Sequence, residues 1–190
     1  MSYKRSDAVI VVDVFNDFDH EDGDRLLSSF RERAPNMRRA IDAARKAGVS
    51  VVYVNDERGG WQGDAPGLIR GALRGRGGEL IKPLVPDDGE PVLLKHRYSA
   101  FDHTPLEILL GSRGIDRIVL VGAATEGCVV QTAIDARELG LQASIVVNSC
   151  ATTDPELEHI ALRYALRVGG VRLEAITQNG LFERCHIDES

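Results

Sequence analysis

Long apolar runs are missing from this chain of 190 residues. No stretch approaches the roughly 18 residues that a membrane span requires. Cysteine is scarce, with three in all. Cys128, Cys150 and Cys185 are widely spaced, and the short N-terminal apolar run from Ala8 to Val12 ends at Asp13 without a small-residue cleavage site. That pattern reads as free thiols in a reducing cytoplasm, not as the disulfide framework of an exported protein. Basic charge is also in short supply. The 23 Lys and Arg against 29 Asp and Glu leave a net charge of −6, which gives no support for a nucleic-acid footprint. The five histidines show no ligand spacing. Gly23 is wrongly placed for the acidic stretch Asp17 to Asp24 to be a calcium loop, so that stretch reads as a solvated loop. Gly75-Arg-Gly-Gly78 fails the dinucleotide pattern, and no phosphate-binding P-loop occurs. The expectation is therefore no metal, no cofactor, no membrane and no nucleic-acid partner.

What is present is an alternation of two apolar periods. Ala8 to Val12 is a continuous run suited to a strand buried on both faces. Pro35 opens a helical stretch with Met37, Ala40, Ile41 and Ala44 on one face, closed by Gly48. Val49–Val54 and Val92–Leu94 read as the second and third strands. Thr104-Pro-Leu-Glu107 carries three agreeing helix-start signals. Ile115–Val121, Leu141–Val147 and Val171–Ile176 read as strands four to six. Helices over Glu126–Leu139 and from Asp154-Pro155 onward separate them. Strands alternating with helices predict an α/β fold, a three-layer αβα sandwich around a six-stranded parallel sheet. One domain over 1–190 accounts for the length. Residues 56–90, rich in Gly, Arg and Asp, read as a loop-rich insert with a short helix near Pro66 to Leu73. A loop this long is functional or a tolerated insertion. It carries Trp61, the sole tryptophan.

In an open parallel sheet, ligands gather at the carboxyl ends of the strands. Strand one ends in Asp13 and strand three in Lys95. Strand four runs into Gly122-Ala-Ala-Thr-Glu-Gly-Cys128, with Cys128 opening a helix. An acid, a cation and a thiol thus meet one edge of one sheet. Taken singly, each is a turn residue, a solvated lysine or a small buried hydrophobe. Together they form a nucleophile set. A helix start and a neighbouring cation lower a thiol pKa, and Asp13 can relay the proton. Cys150 follows strand five and reads as a packed neutral thiol. Phe15, Phe18, Trp61, Tyr98 and Phe101 are pocket candidates by position, and each equally fits the core.

Three segments carry a resemblance. Val-Val-Asp13-Val-Phe-Asn-Asp-Phe18, Leu-Lys95-His-Arg-Tyr-Ser-Ala-Phe101 and Gly122-Ala-Ala-Thr-Glu-Gly-Cys-Val129 resemble the motifs of the isochorismatase-like cysteine hydrolases. The resemblance implies strand order 3-2-1-4-5-6 and an Asp13, Lys95, Cys128 triad. It also implies a cis peptide at Ala123–Ala124 and an oxyanion hole of the Ala124 and Cys128 amides. The pocket is expected, by position, to draw on Asn16, Phe18, Trp61, Phe101 and Thr125. The implied activity is cleavage of a small amide-type C–N bond (amide, carbamoyl or ureido) through a thioester, by a cytoplasmic homo-oligomer acting on a small molecule. The alternatives are a vinyl ether hydrolase of the isochorismatase type, or a binding protein that turns nothing over. The family often has glutamine where this chain has Asn16, and Asn55-Asp-Glu-Arg58 offers no histidine at the place where nicotinamidases bind metal. With strand order 3-2-1, Lys95 starts roughly 10 Å from Asp13. Either a long side chain or a bend spans that gap, or strand three lies beside strand one.

Overall fold

In the computed structural model, residues 3–4, 6–57 and 63–185 are described. Their central element is a sheet of seven strands in the order β3-β2-β1-β4-β5-β6-β7. The strands are β1 Asp7–Val12, β2 Ser50–Asp56, β3 Val92–Lys95, β4 Arg117–Ala123, β5 Gln142–Ala151, β6 Arg172–Ile176 and β7 Phe182–Arg184. The first six pair in parallel, and β7 pairs antiparallel to β6. The expected order of the six strands is therefore present. The seventh is a three-residue return that apolar periodicity is too short to show.

Every residue of β1 and of β4 is buried, because helices cover both faces of the sheet. One face packs Val9, Val11, Val51 and Tyr53 against α1 (Gly23–Lys46). The other packs Ile10, Val12, Leu120 and Ile145 against α4 (Leu106–Ser112), α5 (Val130–Glu138) and α6 (Pro155–Arg167).

Two boundaries differ from expectation. α1 begins twelve residues before Pro35, not at it. Leu26, Leu27, Phe30 and Ala34 continue the buried stripe of Met37, Ala40 and Ile41 across the proline. The packing of that stripe offsets the single helical hydrogen bond that proline removes. The described residues of 56–90 carry more helix than the one short segment expected near Pro66 to Leu73. They contain α2 (Ala65–Arg74), α3 (Gly78–Ile81) and a 3₁₀ turn, Lys82–Leu84. Asp64 caps α2 by accepting the Gly67 amide at 2.8 Å. Ile81 and Leu84 are fully buried, so this segment closes the α1 side of the core.

Candidate active site

The carboxyl ends of β1, β3 and β4 set the three side chains. Asp13 follows β1 directly, at φ 49°, and its amide donates to Val54 O at 3.0 Å. Lys95 is the last residue of β3, in register with Asp56 on β2. β4 passes Gly122 at φ 129°, where a Cβ would lie 2.0 Å from Val12 O, so only glycine fits. The Ala123–Ala124 peptide is cis. The chain then makes one π-helical turn, Thr125–Val129, broken at Gly127, before α5. Cys128 therefore sits in a π turn ahead of the α-helix, not at the helix start expected from the sequence. Single π turns recur at functional sites.

The gap across β2 is closed by the lysine side chain itself. Lys95 Nζ lies 2.8 Å from Asp13 Oδ2 and donates to Cys128 Sγ at 3.2 Å and to Arg97 O at 2.9 Å. Its side chain is 0% exposed. Asp13 Oδ1 accepts the Asp56 amide at 2.6 Å, which fixes the carboxylate.

Burial dominates the protonation of this cluster. It raises the pKa of Asp13, against the opposing pull of the Lys95 charge and of hydrogen bonds from Cys128, Lys95 and Asp56. The Cys128 thiol is pushed up to about 12, by burial first and by the Asp13 charge second, with Lys95 acting against both. Lys95 is raised: burial, its largest single influence, lowers it, but the pull of Asp13 and Cys128 together outweighs that. This reverses the expectation of a lowered thiol pKa. Burial thus favours the neutral form of the Cys128 thiol at rest.

Two openings reach the cluster. A cleft of about 640 Å³ exposes Cys128 among Asp56, His96, Arg97, Tyr98, Asp102 and Gln131. A smaller one of about 210 Å³ reaches Asp13 between Phe15, Asn16, Asn55, Asp56, Ala123 and Ala124.

Of the sequence-expected pocket residues, Asn16 lines the smaller opening. Phe18 does not face an opening. It is fully buried in the core, edge-on to Phe30 with centroids 5.4 Å apart. The turn at φ 59° folds its ring inward under Gly77. Phe101 is partly buried against the α5 side of the core. Thr125 is also fully buried and serves as a strut, its hydroxyl within 3.1 Å of Ala151 O and 2.9 Å of Glu158 Oε1. Trp61 lies outside the described residues. Cys150 is buried, and burial raises its thiol far above the ordinary range.

Supporting contacts escaped the sequence reading. Asn55 exchanges hydrogen bonds with the backbone of Phe15 at 2.9 and 3.2 Å, tying β2 to the turn after Asp13. Thr132 donates to Cys128 O at 2.6 Å and accepts the Ala100 amide at 2.9 Å. It therefore joins the nucleophile turn to the segment after Lys95. Glu126 accepts from Thr152 Oγ1 at 2.7 Å and from the Thr153 amide at 2.8 Å. The polar residues at the ends of β2 and β5 were the available signal, because such residues beside a buried edge need partners.

Known proteins share this fold and its sequence pattern. A family model described as the isochorismatase domain matches residues 7–175. The isochorismatase family protein YaaI of Bacillus subtilis is 28% identical over 159 residues, covering 84% of this chain and 88% of its own. The ureidoacrylate amidohydrolase RutB of Enterobacter is 34% identical over 158 residues, covering 67% of each. The crystal structure of N-carbamoylsarcosine amidase from Thermoplasma acidophilum superimposes with a TM-score of 0.68 at 31% identity, covering 89% of this chain and 95% of that one.

Proposed function

The chain belongs to the isochorismatase family, and we propose that it is a cysteine amidohydrolase, one domain over 1–190, acting on a small amide, carbamoyl or ureido compound. The observation that carries this reading is the contact chain Asp13 Oδ2–Lys95 Nζ–Cys128 Sγ, at 2.8 and 3.2 Å, at the floor of an open cleft. The similarity to a ureidoacrylate amidohydrolase and an N-carbamoylsarcosine amidase supports the bond class.

The proposed path keeps every proton accounted for. Cys128 Sγ attacks the carbonyl carbon as its proton passes to Asp13, which is general-base catalysis with a nucleophile that is a poor one until then. The carbonyl oxygen becomes an oxyanion against the amides of Ala124 and Cys128, the roles assigned here to the turn after β4. Asp13 returns the proton to the leaving nitrogen, the C–N bond breaks, and an acyl thioester remains. Water then attacks the thioester, again giving its proton to Asp13, which passes it to Cys128 Sγ as the C–S bond breaks and the acid departs. Lys95 stabilises the Asp13 anion and the developing thiolate throughout. No metal or cofactor enters this path. The free thiols are consistent with work in the cytoplasm, and a homo-oligomeric state is part of the proposal.

The test is ammonia release from a panel of small amides, ureas and carbamoyl compounds, by wild type and by Cys128→Ala. Loss of turnover in the variant with its melting temperature kept is the expected result. Full turnover without the thiol would overturn the mechanism, and pyruvate release from isochorismate, a cleavage that needs only the acid of Asp13, would favour the vinyl ether reading. No turnover of any panel member by wild type, with pyruvate release from isochorismate also absent, would favour a binding protein.

A further inference from the structure

Few large apolar side chains of the described residues stand in water, and three of them share one helix with a fourth at its C-cap. Leu157, Ile160, Tyr164 and Val168 are 52%, 56%, 54% and 67% exposed. Their spacing of three, four and four residues puts them in one stripe along α6. The opposite side of the same helix is satisfied: Glu158, Leu162 and Ala165 are buried. The stripe leaves on the order of 400 Å² of apolar surface in water, the size of the largest patch on a typical monomer, which is often functional.

We propose that the α6 stripe is a twofold interface between two copies of this chain, with the two α6 helices antiparallel. This deepens the oligomer reading given above and is independent of the catalytic one. Charge selects the occupant and the direction. Glu156 lies at the first turn of α6, and Arg163 and Arg167 lie near its end. All three are exposed. On a helical wheel, all three fall on the same flank of the stripe. In an antiparallel pair about a twofold axis, like flanks meet with opposite ends together. Glu156 of each copy then faces the basic end of the other, while Ile160 meets Tyr164 and Leu157 meets Val168. The helix dipoles are also opposed in this arrangement and aligned in a parallel one. The surface is thus self-complementary, as an isologous contact requires. Both stripes together contribute roughly 800 Å², the scale of a weak, reversible contact.

The experiment is light scattering and sedimentation of the full chain over a concentration series, with circular dichroism melts as the folding control. Wild type is expected to be a dimer or a multiple of one. The double substitution Ile160→Glu/Tyr164→Glu is expected to raise the dissociation constant about tenfold or more, with the melt of a folded protein retained. Glu156→Arg alone and Arg167→Glu alone should each weaken association. An equimolar mixture of these two single variants should restore it, because only the mixed pair matches opposite charges at both ends. This mixing arm does not depend on the double variant folding. A monomeric wild type would overturn both this interface and the oligomer reading. An oligomer whose mass survives the double variant, or a mixture that fails to restore association, would overturn the α6 interface and leave the oligomer reading standing.

Discussion

The two ends of the sheet each bury an acid against a cation, yet only one end is equipped for proton transfer. At the amino end, Arg117 Nε of β4 lies 3.2 Å from Asp7 Oδ1 of β1, and its Nη1 lies 3.7 Å from Glu174 Oε1 of β6. At the carboxyl end, Lys95 joins Asp13 and Cys128. Arginine stays protonated in proteins, so the lower cluster can only hold strands together. Lysine, carboxylate and thiol can redistribute protons among three atoms, and the thiol lines a cleft. The presence of a buried ion pair therefore says little about function. The chemical identity of its members, and what they open onto, says more.

Substitutions can break this comparison from either side. The largest effect falls on Cys128→Ala, which is expected to lower kcat by on the order of 10⁴-fold or more, with little change in melting temperature. Steady-state assays and thermal melts on the same preparation check it. Arg117→Met is the reverse case. It leaves Asp7 and Glu174 as uncompensated buried acids and is expected to cost about 3–5 kcal/mol of stability. Activity per folded molecule should stay near wild type. Denaturant titration beside active-site counting would show it, and a large loss of turnover per folded molecule would erase the contrast between the two ends.

Smaller effects sharpen the picture of the upper cluster. Thr125→Val removes a donor from Glu158, whose carboxyl is already raised by burial. It should cost about 1–3 kcal/mol of stability, and kcat should fall more than KM changes, because the turn carrying Cys128 loosens. The smallest change expected is a shift in the pH profile. Turnover needs ionised Asp13, so kcat/KM should fall as pH drops through the Asp13 pKa, which burial places above the ordinary carboxylate range. Lys95 is the largest influence lowering that pKa. In Lys95→Met, whatever activity remains should therefore show an acid limb displaced to higher pH. A limb displaced downward would contradict the contact between Lys95 and Asp13.

The sequence shows those features that need only local pattern. The apolar runs of β1 and β4 and the strand-end positions of Asp13, Lys95 and Cys128 were visible, because strand phasing alone puts them at one edge. β7 was not, since Phe182–Arg184 is too short to show a period. The first half of α1 was hidden because Pro35 is a start signal that tertiary packing overrode. Phe18 looked like a pocket residue until a left-handed turn sent its ring into the core. The protonation of Cys128 was misjudged for a different reason. Charge neighbours can be guessed from sequence, but burial, the larger influence, exists only in three dimensions.

Lys95 is carried by β3, a four-residue strand at the margin of the sheet, held through a register of Tyr53 to Asp56 on β2. Marginal strands open at lower free energy than central ones. The cluster is therefore assembled across a seam between the central strands β1 and β4 and a short edge strand. Detaching β3 would remove the cation and silence the thiol while β1, β4 and the core stay intact. On heating, catalysis should fade before the fold melts, so that the temperature of half activity reports on this seam and the calorimetric transition reports on everything else.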